Sequence, residues 1–216
     1  MSFSIETFPV YPLGCNCSIL SCDSSGEAIV VDPGGDEERI ASYLQAKNLR
    51  IKYIVHTHAH FDHCLGTKKV ASQHENCQIG LHKEDLFLYE NLAMQCGLFG
   101  VPFSGEEVQA IDLFLQDNQI LEWGESGKLE ILHTPGHTPG SVSFLLQNSK
   151  QQILLSGDTL FAGGIGRTDL WGGDSQKILK SIKGRLLTLD DSTAVIPGHG
   201  EATSIYQEKK GNPFLV

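Results

Sequence analysis

Basic charge is scarce in this chain, and so are long apolar runs and paired cysteine motifs. Lys and Arg number 16 against 26 Asp and Glu, a formal net charge of −10 over 216 residues. A surface of that sign repels a phosphate backbone, so no nucleic-acid partner is expected. The basic residues are scattered, with short pairs at Lys68-Lys69 and Lys209-Lys210 that read as solvated helix faces. No apolar stretch is long enough to span a bilayer. The opening Met1-Ser2-Phe3-Ser4-Ile5-Glu6 has neither the basic nor the apolar part of a secretory signal, so neither export nor a membrane partner is expected. Low-complexity runs are also missing, and no linker-like segment divides the chain. One domain over residues 1–216 is expected.

Six cysteines stand at 15, 17, 22, 64, 77 and 96. An even count signals disulfides in a small exported chain, and this chain is neither small nor expected to be exported. Cys15, Cys17 and Cys22 lie in a strand-like region without a second CxxC, so they read as packing thiols, and a reducing cytoplasm is the expected compartment.

What is present in force is histidine of one kind of placement. Thr57-His58-Ala59-His60-Phe61-Asp62-His63 follows the apolar run Ile51-Lys52-Tyr53-Ile54-Val55 directly. A strand that stops at such a cluster delivers three imidazoles and a carboxylate to a sheet edge. Neutral imidazole and carboxylate are ligand types that zinc, iron and manganese accept. Burying these groups together without a cation would cost several kcal/mol. His56 falls on the opposite alternation and reads as packing, while His74 and His82 sit among polar residues and read as surface groups.

The remaining pattern predicts strands at Ser4 to Val10, Cys17 to Cys22 and Ala28 to Val31, with a turn at Asp23-Ser24-Ser25-Gly26. Asp32-Pro33-Gly34-Gly35 reads as a sheet breaker, and Asp36 as the cap of a helix from about Glu37 to Lys47 with an Ile40, Tyr43, Leu44 stripe. A helix is predicted from Asp62 to about His74, then a strand Ile79 to Leu81. Leu86, Phe87, Leu88 and Leu92 suggest helix, and Gly97 to Phe103 an apolar loop that either lines a substrate channel or packs in the core. Strands follow at Gln119 to Trp123, Leu129 to His133, Ser141 to Leu146, Gln151 to Leu155 and Thr193 to Ile196, with helices at Ser175 to Leu187 and Glu201 to Gln207. Two β-plus-α halves result, an α/β layered fold.

Three later motifs repeat the strand-end logic. His137 stands in the Pro/Gly turn His133-Thr134-Pro135-Gly136-His137-Thr138-Pro139-Gly140, Asp158 follows the strand Ile153-Leu154-Leu155, and His199 follows Ile196-Pro197-Gly198. Each alone is weak evidence; together they deliver metal-ligand types from four strand ends. HxHxDH, TPGH, GD and PGHG in this order resemble the metallo-β-lactamase superfamily, and the likeness spans the chain. The resemblance implies a four-layer αββα sandwich. It puts a first metal on His58, His60 and His137, a second on Asp62, His63 and His199, and Asp158 across both. His133 is outside that ligand set. Two divalent ions are implied, zinc the expected one, iron and manganese the alternatives.

Gly163-Gly164-Ile165-Gly166-Arg167-Thr168-Asp169, together with the ending Gly211-Asn212-Pro213-Phe214-Leu215, resembles the short bacterial glyoxalase II-like hydrolases, or hydroxyacylglutathione hydrolases. Such enzymes cleave the thioester S-lactoylglutathione, a product of methylglyoxal detoxification, to lactate and glutathione. The resemblance makes a small glutathione-derived thioester the expected substrate. Arg167 becomes its binding residue, unless Arg167 instead pairs with Asp169 to brace the loop. Two cations about 3.5 Å apart would acidify a water for attack on the thioester carbonyl, with Asp62 orienting the hydroxide. The longer glyoxalase II enzymes carry a C-terminal helical domain that supplies glutathione contacts. This chain stops soon after His199, so hydrolysis is better supported than glutathione specificity. The nearest rival is a persulfide dioxygenase with one iron on His58, His137 and Asp158. A lactonase, β-lactamase or nuclease fits the Gly166–Asp169 stretch or the charge less well, and a non-catalytic metal-binding module would be expected to lack a ligand. Oligomeric state is not legible.

Overall fold

The computed structural model describes residues 3–103, 108–147 and 152–215. They divide into two compact units, Met1–Phe114 with Trp123–Gly127, and Leu115–Glu122 with Lys128–Val216.

In the first unit the chain runs β1 (Phe3–Val10), β2 (Cys15–Cys22), β3 (Glu27–Val31), α1 (Glu37–Ala46), β4 (Arg50–Val55), α2 (Phe61–Cys64), α3 (Thr67–Ala71), β5 (Gln78–His82), α4 (Leu86–Tyr89), α5 (Leu92–Phe99) and β6 (Leu113–Leu115). One six-stranded sheet takes the order β1-β2-β3-β4-β5-β6. β1, β2 and β3 are antiparallel, while β3, β4 and β5 are parallel. The β-branched Ile29, Val30 and Val31 of β3 and Ile51, Ile54 and Val55 of β4 are buried, as suits the parallel centre of a sheet. Ile40 and Leu44 of α1 close onto Ile19, Val30, Ile51 and Ile54, each burial contributing about 1.5–3 kcal/mol relative to exposure. The parallel crossover brings the carboxyl ends of β3 and β4 side by side, with Asp32 N–H donating to Val55 O at 3.0 Å.

Three expectations are corrected here. Asp36 precedes α1 but does not cap it: its backbone is left-handed (φ 49°) and its Oδ2 accepts from Tyr11 N–H at 2.9 Å. The helix predicted from Asp62 to His74 is two short ones, broken because Gly66 N–H turns to Pro33 O at 2.8 Å. Gly97-Leu98-Phe99 is the last turn of α5 and not loop, since the left-handed residue that ends the helix is Gly100.

The chain continues through β7 (Ile120–Trp123), β8 (Gly127–His133), β9 (Val142–Gln147), β10 (Gln152–Gly157), β11 (Leu160–Phe161), β12 (Gly164–Ile165), α6 (Ser175–Ser181), β13 (Ala194–Pro197), β14 (Thr203–Ser204) and α7 (Ile205–Gly211). A second six-stranded sheet takes the order β14-β13-β10-β9-β8-β7. β9 is antiparallel to both β8 and β10, and β13 is parallel to β10. β8, β10 and β13 therefore end at one edge of that sheet. Gln151, predicted to open β10, lies outside the described residues. α6 has a true cap, Asp174 Oδ1 accepting from Gln176 N–H and Lys177 N–H, both at 2.9 Å. The last helix begins at Ile205, later than predicted at Glu201, because Thr203 and Ser204 first pair with Val195 and Ala194. Among the described residues, no helix is long and apolar enough to cross a membrane.

Candidate metal centre

In the first unit the turn after β4 gathers His58, His60, Asp62 and His63, all buried. Three buried side chains hold this turn by its backbone. Asp85 Oδ2 accepts from Ala59 N–H at 3.0 Å. Gln95 Oε1 accepts from Phe61 N–H at 3.1 Å, and its Nε2 donates to Ala59 O at 3.0 Å and Leu88 O at 2.8 Å. Asp32, at the end of β3, takes Thr57 N–H on Oδ1 and Thr57 Oγ1 on Oδ2, both at 2.7 Å. Its Oδ2 also lies 3.0 Å from His63 Nδ1.

These contacts decide the tautomers. A carboxylate only accepts, so His63 Nδ1 carries the proton toward Asp32. Thr57 spends its single hydroxyl proton on Asp32, so its oxygen accepts from His58 Nδ1, 3.1 Å away. In both rings Nε2 is left with the lone pair, as in a metal-ligating imidazole backed by a hydrogen-bonded Nδ1–H. His63 Nε2 stands 3.7 Å from Asp62 Oδ2, and His58 Nε2 stands 3.1 Å from His60 Nδ1. Two ligands on one tetrahedral ion with bonds near 2.1 Å lie about 3.4 Å apart, so these separations suit a shared cation.

The second unit repeats the arrangement. His137 comes from the β8–β9 turn, Asp158 follows β10 and His199 follows β13, so all three leave the same sheet edge. Asp158 Oδ2 is 3.6 Å from His137 Nε2 and 3.7 Å from His199 Nε2. His137 Nδ1 donates to Arg167 O at 2.8 Å, which again leaves Nε2 with the lone pair. One carboxylate oxygen equidistant from two imidazole nitrogens, beyond hydrogen-bond length from each, fits a divalent ion on chemistry and spacing. Gly166 is required here: a Cβ would stand 1.8 Å from Asp158 O.

Sequence reasoning missed the residues behind the candidate ligands. Asp32 was legible as a carboxylate at a strand end, the same signal that marked Asp158, yet it read only as a sheet breaker. Asp85, Gln95 and Thr57 left no such signal. Cys15 is the core thiol expected, packed with Cys17 and Ile19; its sulfur also lies 3.3 Å from His63 Nδ1, and burial pushes the thiol up to about 12. All six cysteines are free. His56 packs as expected, Nε2 at 3.2 Å from Thr67 Oγ1, with burial lowering it to about 4. His74 and His82 are half-buried at the surface, and His82 Nδ1 accepts from Glu84 N–H at 3.3 Å. His133 Nε2 donates to Pro139 O at 3.0 Å and braces the turn that carries His137.

Asp32→Asn should weaken zinc binding by about 10–100-fold, read by competition with a chromophoric chelator. In either orientation the amide sets an N–H against a donor that Asp32 now accepts from: Thr57 N–H at Oδ1, or the Thr57 hydroxyl and His63 Nδ1–H at Oδ2. Unchanged affinity would mean that Asp32 does not orient His63.

The fold and these donor sets define a metallo-hydrolase. The chain belongs to the metallo-beta-lactamase superfamily, whose family model matches residues 10–199. It is 41% identical to the hydroxyacylglutathione hydrolase GloC of Haemophilus influenzae, over 98% of this chain and 98% of that one. The BLEG-1 B3 metallo-beta-lactamase superposes with a TM-score of 0.87 at 37% identity, covering 98% of this chain and 99% of that one. TTHA1623, solved in a di-iron-bound form, gives a TM-score of 0.85 at 32% identity, covering 97% and 100%. The metallo-β-lactamase fold expected from the motifs is thus the fold of this chain.

Proposed function

We propose that this chain is a thioester hydrolase of the glyoxalase II type, cleaving S-lactoylglutathione or a related S-acylglutathione. The ligand set is the one the motifs imply: His58, His60 and His137 for one divalent ion, Asp62, His63 and His199 for the other, and Asp158 shared. The observation that carries the reading is the tautomer set, three imidazoles with Nδ1–H engaged and Nε2 bearing the lone pair. Identity of 41% to a named hydroxyacylglutathione hydrolase, end to end, supports the substrate class. A di-iron relative keeps iron beside zinc and manganese as the ion.

Divalent ions in such a site supply an acidified water and an electrophile for the carbonyl oxygen. The chain supplies the rest. Asp62 orients the attacking water through its carboxylate. Arg167 meets the glutathione carboxylates from the glycine-rich loop; in the structure its guanidinium pairs with Asp169 at 2.7 and 2.8 Å. That pair is exposed, so a substrate carboxylate can exchange for Asp169 at little cost. The leaving thiolate needs little protonation, so no Ser or Cys nucleophile is required. Residues 1–216 act as one domain in this reading. Six free thiols accord with a reducing cytoplasm.

The test is metal content per chain together with S-lactoylglutathione hydrolysis. Near two ions per chain with hydrolysis is the expected result, and Arg167→Ala should then raise KM about tenfold with kcat nearly kept, the mark of lost uniform binding. One iron, no hydrolysis, and oxygen uptake on glutathione persulfide would move the protein to the dioxygenases. Hydrolysis of a β-lactam alone would overturn the thioester reading.

A further inference from the structure

The ending Gly211-Asn212-Pro213-Phe214 has no part in the chemistry so far, yet it is tied to the loop behind His137. Glu208 and Asn212, one turn apart on and just past α7, are buried to 3% and 0% exposure. Glu208 Oε2 accepts from Gly163 N–H at 2.9 Å and from Asn212 Nδ2 at 2.8 Å, and Oε1 accepts from Thr203 Oγ1 at 2.6 Å. Asn212 Nδ2 also donates to Gly164 O at 2.9 Å, and its Oδ1 accepts from Phe214 N–H at 3.0 Å. The side chains of α7 thus grip both the donor and the acceptor of the Gly163-Gly164 turn, the tip of the β11–β12 hairpin.

That hairpin leads straight to the metal side. Gly166 N–H donates to Thr159 O at 3.3 Å, and the next carbonyl, Arg167 O, holds His137 Nδ1–H at 2.8 Å. The loop is therefore fixed at its tip by α7 and delivers at its end the acceptor that sets the His137 tautomer. A buried carboxylate whose donors, among the described residues, are all neutral is a costly way to pack a helix, and an apolar side chain would fill the space at less cost. Its use here is explained by placement.

We infer that Glu208 and Asn212 are positioning residues, a clamp that fixes the Gly163–Arg167 loop so that Arg167 O holds His137 with Nε2 ready for metal. The inference rests on the reading of His137 as a ligand.

The test is zinc affinity of the chelator-stripped full chain, by competition, with melting followed separately. Asn212→Asp keeps the shape but sets a carboxylate against Glu208 and Gly164 O. It should weaken zinc binding about tenfold, the low end for partners behind a metal-bound imidazole. Glu208→Gln should keep wild-type affinity, since its oxygen can still accept from Gly163 and Asn212 while its amide donates to a turned Thr203 hydroxyl. Lys209→Ala removes α7 contacts to Asp191 and Leu189 O outside the clamp, so it should lower melting without moving zinc affinity. If Asn212→Asp does not fold, Asn212→Ala, which adds no charge, is read the same way. Wild-type zinc affinity in the folded Asn212 variant, or an equal loss in Lys209→Ala, overturns the clamp. A wild-type chain that binds no zinc, iron or manganese overturns instead the ligand reading beneath it.

Discussion

Asp62→Asn is expected to lower turnover by about 10²–10⁴-fold, the range for loss of a positioned acid–base group, while metal content falls far less. The side chain is buried and stands 3.7 Å from His63 Nε2. Asparagine keeps one oxygen in that position, so a ligand bond can persist. Under the proposed mechanism, what the amide loses is the charge that draws a proton from the attacking water. Metal analysis and steady-state rates on the same preparation check this. Parallel loss of metal and rate would leave Asp62 a ligand and nothing more.

Gly34→Ala should cost about 3 kcal/mol or more in stability, since the overlap is with backbone and cannot be relieved by a rotamer. A Cβ at Gly34 would lie 1.7 Å from Asp62 O and 2.7 Å from Asp62 C. To make room, either the Asp32–Gly35 turn or the first turn of α2 must move, and each carries part of the metal-facing network. For a chain of this size the loss corresponds to a melting temperature lower by roughly 6–12 °C. Gly97→Ala is the control: nothing lies within 4 Å of its Cβ, and it sits inside α5, so it should be neutral or slightly stabilising. Equal melting of the two variants would show that the close approach at Gly34 relaxes freely.

Much of this was legible because the sequence places scarce residue types where backbone rules put them. His58 to His63 follow a run that can only be a buried strand, and Asp158 and His199 follow two more. A strand end is a local property, so those candidate ligands could be read locally. The helix boundaries were read less well for the opposite reason. Asp36 looks like a cap, but Tyr11, distant in sequence, takes its carboxylate. The predicted helix after Asp62 ignores Gly66, whose N–H goes to Pro33 O. Cys15 carries no local sign that it will meet His63, because the start of β2 reaches the end of β3 only through antiparallel pairing of Ser18 with Val31.

By itself, then, the sequence determined the superfamily and the types and order of the candidate ligands, since these depend on residue identity at strand ends and in Pro/Gly turns. Tertiary structure alone decided which nitrogen His58, His63 and His137 present. That choice belongs to partners remote in sequence: Asp32 for His63, and Arg167 O, with α7 behind it, for His137. A tautomer is set by whichever acceptor the fold brings to Nδ1, and no spacing along the chain encodes that contact.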